Sequence, residues 1–148
     1  MKQQKHVYLR LILVIVLLIA GFAGVYLYRT SFPRYAKSIY SQNTDALDKI
    51  VADYKENHLN EDVYQTETEL DDGGHKKKFT LSAKSDSEGR AYVRITVKTR
   101  SLSKNEGTGK VENWYLVYED EGFDIKHGEK YSDLSGGWAI WRYKGDIG

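Results

Sequence analysis

The hydrophobic pattern of the chain opens on an uninterrupted apolar run over residues 11–28, which contains no charged or strongly polar side chain. At about 1.5 Å per residue, a helix of this length covers roughly 27 Å, close to the hydrocarbon thickness of a bilayer. Tyrosines stand near both ends of the run, and Arg10 and Arg29 flank it, as is typical of membrane interfaces. The pattern predicts a transmembrane helix over residues 11–28, preceded by a short cytoplasmic head over residues 1–10.

The same basic head and apolar run are also typical of a cleaved signal peptide, with the small residues at 21–23 as a candidate cleavage site. We favour the retained anchor because the apolar run continues past that site and ends in aromatic residues and arginine. Basic residues flank both ends of the run almost equally, so the positive-inside rule discriminates little. The short basic head resembles an ordinary signal-anchor, which predicts the N-terminus inside and the body outside.

We predict a linker over residues 29–34, because Pro33 disfavours helix at the preceding residue. A helical period of apolar residues follows this linker. The next apolar stripe has the i, i+3, i+4, i+7 spacing of an amphipathic helix. Its members are Leu47, Ile50, Val51 and Tyr54. The polar residues 41–43 are a candidate break in this helix, and Asn43 or Thr44 is a candidate cap.

Beyond His58 the period changes from helical to two, which indicates strands. The alternating segments read EDVYQTETELDD, KKFTLSAKS, RAYVRITVKTRSL, VENWYLVYEDEG, FDIKHGEKY and GWAIWRY. The fourth segment is apolar on both faces, as expected of a central strand. We predict residues 137–143 as a closing edge strand, with residues 145–148 loose. The predicted fold class is therefore α+β, with the amphipathic helix packed on an antiparallel sheet of four to six strands over residues 35–148.

In outline, a long helix followed by an antiparallel meander resembles the helix-plus-sheet domains of the cystatin and NTF2-like families. With its anchor, the chain is also similar to small single-pass extracytoplasmic proteins of Gram-positive bacteria, most of which are uncharacterised. The order of the elements carries this resemblance and no motif does. It therefore implies a fold and a location, and it transfers no functional residues.

Charge and composition exclude several classes of function. All 21 acidic residues lie at Asp45 or later, and four of the 22 basic residues precede Arg34. The body thus carries 18 basic against 21 acidic groups, too balanced for a general nucleic-acid binder. The chain has no cysteine, which excludes disulfides, a thiol nucleophile and thiolate metal sites. No catalytic, phosphate-binding or metal-ligand motif is recognisable, so we predict a protein that is not an enzyme and needs no cofactor or metal.

Basic side chains share one face of the predicted second strand and one face of the predicted third strand. If these two strands pair and pack their apolar faces on the helix, the basic side chains form one open surface. We predict a binding surface formed by Lys78, Lys84, Tyr92, Arg94, Lys98 and Arg100. Like charges opposite one another are destabilising, so the alternative is a face paired internally with Glu67 and Glu69 of the first strand. Trp138, which follows two glycines, is predicted to be an exposed aromatic contact, whereas Trp141 is predicted to be buried.

Two functional hypotheses follow. The first is a membrane-anchored, non-catalytic module that binds another envelope or secreted protein, as an envelope assembly component or an immunity-type protein does. Its basic face favours an acidic partner: a protein, a teichoic-type polymer or an anionic lipid headgroup. The second is a module for a small ligand or lipid, with a pocket between the helix and a curved sheet. A filled core with an exposed basic or aromatic patch favours the first hypothesis, and a deep pocket favours the second.

Overall fold

The computed structural model describes residues 2–101, 109–123 and 128–146. These residues form two helices and a six-stranded antiparallel sheet, so the predicted α+β class is confirmed. The elements are α1 (Lys2–Gln42), α2 (Thr44–Asn57), β1 (Tyr64–Asp72), β2 (His75–Ser85), β3 (Ala91–Ser101), β4 (Lys110–Glu119), β5 (Glu129–Asp133) and β6 (Trp138–Asp146). The chain divides into two compact units, Met1–Phe32 and Pro33–Gly148.

In the first unit, α1 carries the apolar run. The segment Arg10–Leu27 is long enough and apolar enough to cross a membrane, and none of it is buried against protein. Its apolar side chains are exposed over the whole circumference of the helix. Such a helix is stable where the surrounding medium is itself apolar, which is why its composition is compatible with a membrane anchor.

The helices depart from the sequence prediction at one place and agree with it at another. Residues 29–34 are helical and Pro33 lies inside α1, where we expected a linker. Proline removes one backbone hydrogen bond from a helix interior, a loss that the rest of this long helix outweighs. The predicted candidate break at residues 41–43 is real, because α1 ends at Gln42 and α2 begins at Thr44. Asn43 between them is buried at 4% exposure, an unusual place for an amide side chain.

The sheet has the strand order β1-β2-β3-β4-β6-β5. The last strand is therefore an interior strand, and our prediction of a closing edge strand is wrong. β6 pairs along its length with β4, from Tyr118 opposite Trp138 to Lys110 opposite Asp146, and β5 adds to its other side. Gly145, which we predicted to be loose, is consequently part of the sheet. The strand's two apolar faces explain its interior position, since both must be covered.

One face of the sheet packs against the helices and forms the main core. Helix α2 buries Leu47, Val51 and Tyr54 on this side. The sheet contributes the buried side chains Leu70, Phe79, Leu81, Val93, Ile95, Leu116, Trp138 and Ile140. This packing explains why the helical stripe and the strand alternation could be recognised from the sequence.

Asp120 joins three elements around the end of β4. Its carboxylate accepts hydrogen bonds from Lys55 Nζ at 2.6 Å and from the Tyr118 hydroxyl at 2.7 Å. It also accepts the backbone amide of Ala91 at 2.8 Å. Desolvation by burial raises the pKa of Asp120, but these hydrogen bonds outweigh it and hold the pKa below its ordinary value.

We expect Asp120→Asn to lower the free energy of unfolding at pH 7 by about 1–3 kcal/mol, because it removes the charged acceptor. A carboxylate with a depressed pKa stabilises the fold above its unfolded pKa of about 4, and this stability is lost as the pH falls through the folded pKa. The variant should therefore lose less stability than the wild type between pH 5 and about pH 2. Urea unfolding followed by circular dichroism across this range measures the difference, and parallel profiles for the two proteins would contradict the assignment.

Candidate functional site

The sheet face opposite the helices, here called the outer face, carries an aromatic cluster. Side chains alternate along a strand, so Tyr115 and Val117 point away from the helices while Tyr118 points toward them. Tyr92, Tyr115 and Val117 are buried on this face, and Phe123 and Trp141 pack against them. The rings of Tyr92 and Phe123 stack with centroids 5.6 Å apart. The sheet thus has a second, smaller apolar layer that neither of the two described helices covers.

Cations border the aromatic cluster and lie over its rings. The guanidinium carbon of Arg94 is 4.8 Å from the centre of the Tyr115 ring. Lys84 Nζ is 5.7 Å from the Tyr92 ring, and Lys130 Nζ is 5.8 Å from the Trp141 ring. Cation–π contacts at exposed positions contribute about 0.5–1 kcal/mol each. They also fix long side chains that would otherwise rotate freely.

Burial keeps the tyrosine hydroxyls of the cluster neutral. Desolvation raises the pKa of Tyr92 to about 12, although the charge of Arg94 acts in the opposite direction. Desolvation also raises the pKa of Tyr115. Both phenols therefore remain hydrogen-bond donors at any physiological pH. The outer face offers rings, neutral donors and cations, and it has the composition typical of protein-binding surfaces.

Three of the six predicted basic-face residues lie together on the outer face: Lys84, Tyr92 and Arg94. Lys84 is directly opposite Tyr92, and Ser82 is opposite Arg94 in the pairing of β2 with β3. They line one open groove of about 250 Å³ together with Val63, Ser82 and Ala83. The structure thus brings these three predicted residues together on one surface, and their role in binding stays a prediction.

Lys78 belongs to a different environment. It lies opposite Glu69 in the pairing of β1 with β2, and its Nζ is 3.4 Å from Glu67 Oε2. Its neighbours Lys76 and Lys77 likewise pair with Asp71 and Asp72. For Lys78, this ion pair with Glu67 is the internally paired alternative that the sequence left open. Such exposed pairs contribute little stability.

Lys98 and Arg100 are on the helix side of the sheet, which corrects the predicted basic face. A register shift between Thr96 and Lys98 inserts one residue into β3, so that Lys98 lies opposite Trp114 and Arg100 opposite Glu112. A bulge of this kind exchanges the faces of all the residues that follow it. Glu112 is 6% exposed and lies 3.7 Å from the Arg100 guanidinium, so Arg100 pairs with a buried carboxylate of its own sheet.

Trp138 is buried at 1% exposure, so its prediction as an exposed contact is wrong. Its indole nitrogen lies 3.4 Å from the Asp48 carboxylate of α2, and its ring meets Tyr118 edge-on. Trp141, which we predicted to be buried, is half-buried on the outer face. Sequence reasoning missed Val63, Phe123 and Lys130 as neighbours of the surface.

Within residues 2–101, 109–123 and 128–146, no group of three or more histidine or acidic side chains could hold a metal ion. Comparison with protein-family models, with curated proteins and with solved structures finds no match to the chain. The outer face and the apolar helix are therefore the two features of the chain that bear on its function.

Proposed function

We propose that this chain is a membrane-anchored, non-catalytic interaction module that binds another envelope or secreted protein. In this proposal, residues 11–28 cross the cell membrane once, with the N-terminus inside and the sheet domain outside. This is the arrangement of the small single-pass proteins of Gram-positive bacteria that the sequence resembles in outline. The exposed apolar helix supports the anchor, since Arg10–Leu27 has the length and composition that a bilayer requires.

One observation carries the binding role: the outer face combines an aromatic cluster with two cations, Lys84 and Arg94, that have no carboxylate partner among the described residues. In the part of the chain that the structure describes, no carboxylate oxygen lies within 4.0 Å of Lys84 or Arg94. Elsewhere on the sheet, Lys78 and Arg100 have such partners. Aromatic and arginine side chains are enriched at protein interfaces, because they bury large areas and retain polar groups.

The alternative function, a ligand pocket between helix and sheet, has less support. The side chains that meet there include Tyr54, Leu116 and Trp138, each almost completely buried and large enough to fill the layer. The groove at Lys84 and Arg94 lies on the outer face instead. We therefore favour a surface that receives a protein over a cavity that encloses a small molecule.

Labelling of engineered cysteines tests the anchor and its orientation, because the chain has no cysteine of its own. We expect Ser87→Cys, in the exposed turn after β2, to react with a membrane-impermeant maleimide on intact cells. Gln3→Cys is the matched control and should react only after permeabilisation. Labelling of Ser87→Cys only in permeabilised cells would show the opposite orientation. Release of the chain from membranes by carbonate would contradict the transmembrane anchor.

Site-specific photo-crosslinking in intact cells tests the binding role. A photoreactive phenylalanine analogue at Thr80, exposed on the outer face, should cross-link to a partner protein. The same analogue at Ala52, exposed on α2, is the control and should give no such product. Cross-links of equal yield from both positions, or from neither, would contradict an interface on the outer face.

A further inference from the structure

We infer that the groove at Lys84 and Arg94 binds a carboxylate side chain of an extended, acidic peptide segment, with an apolar neighbour of that carboxylate resting on Val63 and Tyr92. This inference rests on the proposed function and names the chemistry of the partner. The groove has a volume of about 250 Å³ and opens to solvent. That space suits one or two side chains and excludes a folded domain.

The pairing of β2 with β3 brings the two cations close together. Lys84 lies opposite Tyr92 and Ser82 lies opposite Arg94, so Lys84 and Arg94 are diagonal neighbours on adjacent strands. Diagonal neighbours are separated by about 7–8 Å, which long side chains can span. Their charged ends can therefore converge on one anion placed between them.

Arg94 is held in position to receive a carboxylate. Its Nε donates a hydrogen bond to the Ser82 hydroxyl at 3.2 Å, and its guanidinium lies over the Tyr115 ring. These contacts use Nε and one flat side of the group, and they leave the two terminal nitrogens for a ligand. A planar guanidinium offers a forked pair of donors that matches a carboxylate. Because the side chain is already fixed, little conformational entropy is lost on binding.

Apolar groups border the cations on the same groove. Val63 is 70% exposed, the highest exposure among the large apolar side chains described in the unit Pro33–Gly148. Tyr92, which is mostly buried, lines the same groove. Exposed apolar surface beside a charged group is typical of an interaction site. The groove therefore favours a ligand that carries an acidic and an apolar group side by side.

Hydrogen bonds to the Asp86 carboxylate hold together the turn that closes this end of the sheet. The Asp86 carboxylate accepts hydrogen bonds from the backbone amides of Glu88 and Arg90 at 3.0 and 2.9 Å. It also accepts the Arg90 side chain at 2.6 Å. These contacts fix the ends of β2 and β3, and they keep Lys84 and Tyr92 in register without a ligand.

The neighbouring charges favour a peptide over a polymeric anion or a lipid surface. Glu119 lies opposite Tyr92 on the outer face, and Asp133 lies farther along the same face, where it pairs with Lys130. A polyanion or an anionic membrane that approached Lys84 and Arg94 would be repelled by the Glu119 carboxylate. A peptide with one well-placed carboxylate avoids this repulsion, and it brings the apolar group that the groove also offers.

Titration of the full chain in detergent micelles with defined peptides, followed by NMR, tests the inference. The probe is an acetylated and amidated tetrapeptide, Glu-Leu-Glu-Leu, and its control ligand is Gln-Leu-Gln-Leu. We expect Lys84→Gln and Arg94→Gln each to weaken binding of the acidic probe about five-fold, the effect of losing an exposed ion pair. Lys78→Gln is the matched control and should change the affinity by less than about two-fold, because that lysine is already paired.

Equal binding of the two peptides, or unchanged binding to the Lys84→Gln/Arg94→Gln double variant, would overturn the inference. Stronger perturbation of the Arg94 signals by inorganic polyphosphate or by phosphatidylglycerol vesicles than by the acidic peptide would also overturn it. These failures are distinguishable from failure of the proposed function. If cross-links from Thr80 persist while the acidic peptide does not bind, the outer face is an interface with a different specificity.

Discussion

Trp138→Ala is expected to lower the free energy of unfolding by about 3–5 kcal/mol, the range for truncating a large buried aromatic side chain. The indole is 1% exposed, lies between β6 and α2, and meets the Tyr118 ring at 5.7 Å. Its removal leaves a cavity that neighbouring backbone cannot fill, and it releases the contact to Asp48 at 3.4 Å. Urea unfolding of the full chain in micelles, followed by far-UV circular dichroism, measures the loss.

Trp141→Ala is the matched control, because it makes the same chemical change three positions along the same strand. Trp141 is half-buried on the outer face, so we expect a loss of about 1–2 kcal/mol, in proportion to the smaller buried area. The two variants should differ in a second respect, since only Trp141→Ala alters the surface proposed for binding. Equal losses of stability would contradict the burial of Trp138 between the sheet and α2.

Asn43→Asp is the second large effect, with an expected loss of about 2–4 kcal/mol at pH 7 from a buried charge and unpaired carbonyls. The Asn43 amide nitrogen donates to the carbonyls of Ile39 at 2.7 Å and Asp71 at 2.9 Å. The amide oxygen accepts the backbone amide of Asp71 at 2.7 Å. The side chain thus bonds to both backbone groups of a residue in β1, as a neighbouring strand would. A carboxylate keeps the hydrogen bond that it accepts from the Asp71 backbone amide. Its second oxygen has no hydrogen to donate to the carbonyl oxygens of Ile39 and Asp71.

The pH dependence separates this mechanism from a general loss of packing. A buried carboxyl has a raised pKa, and the neutral acid can donate one hydrogen bond. The stability of Asn43→Asp relative to the wild type should therefore recover as the pH falls from 7 to about 4. Asn57→Asp, the same change at an exposed position of α2, should cost less than about 1 kcal/mol. A loss for Asn43→Asp that does not vary with pH would contradict the hydrogen-bond assignment.

The alternation of apolar side chains made the elements predictable, because both the helix stripe and the strands bury one face against a common core. The stripe at Leu47, Val51 and Tyr54 is buried as its spacing requires. The second apolar face of β4, at Tyr115 and Val117, already indicated a covered outer side. The sequence therefore predicts those features that depend on a regular spacing of apolar residues within a single helix or strand.

The order and register of strands could not be read in the same way. The segment Arg94–Arg100 alternates without interruption, and it contains no residue that marks the inserted position at Val97. A bulge is defined by the number of residues on the partner strand, which lies far along the chain. The same limitation placed β6 at an edge, since its insertion between β4 and β5 depends on pairing between distant segments. The exposure of Trp138 was misjudged because it was inferred from the two glycines that precede it, whereas pairing with β4 buries the side chain.

The interior position of β6 has a consequence for the folding of the domain. The strand Trp138–Asp146 joins β4 to β5. Until this strand has paired, β4 is an unprotected edge, and β5 has no partner in the described sheet. Open edges of this kind pair readily with other chains. The pairing of this single strand therefore completes the described sheet and protects β4 from aggregation.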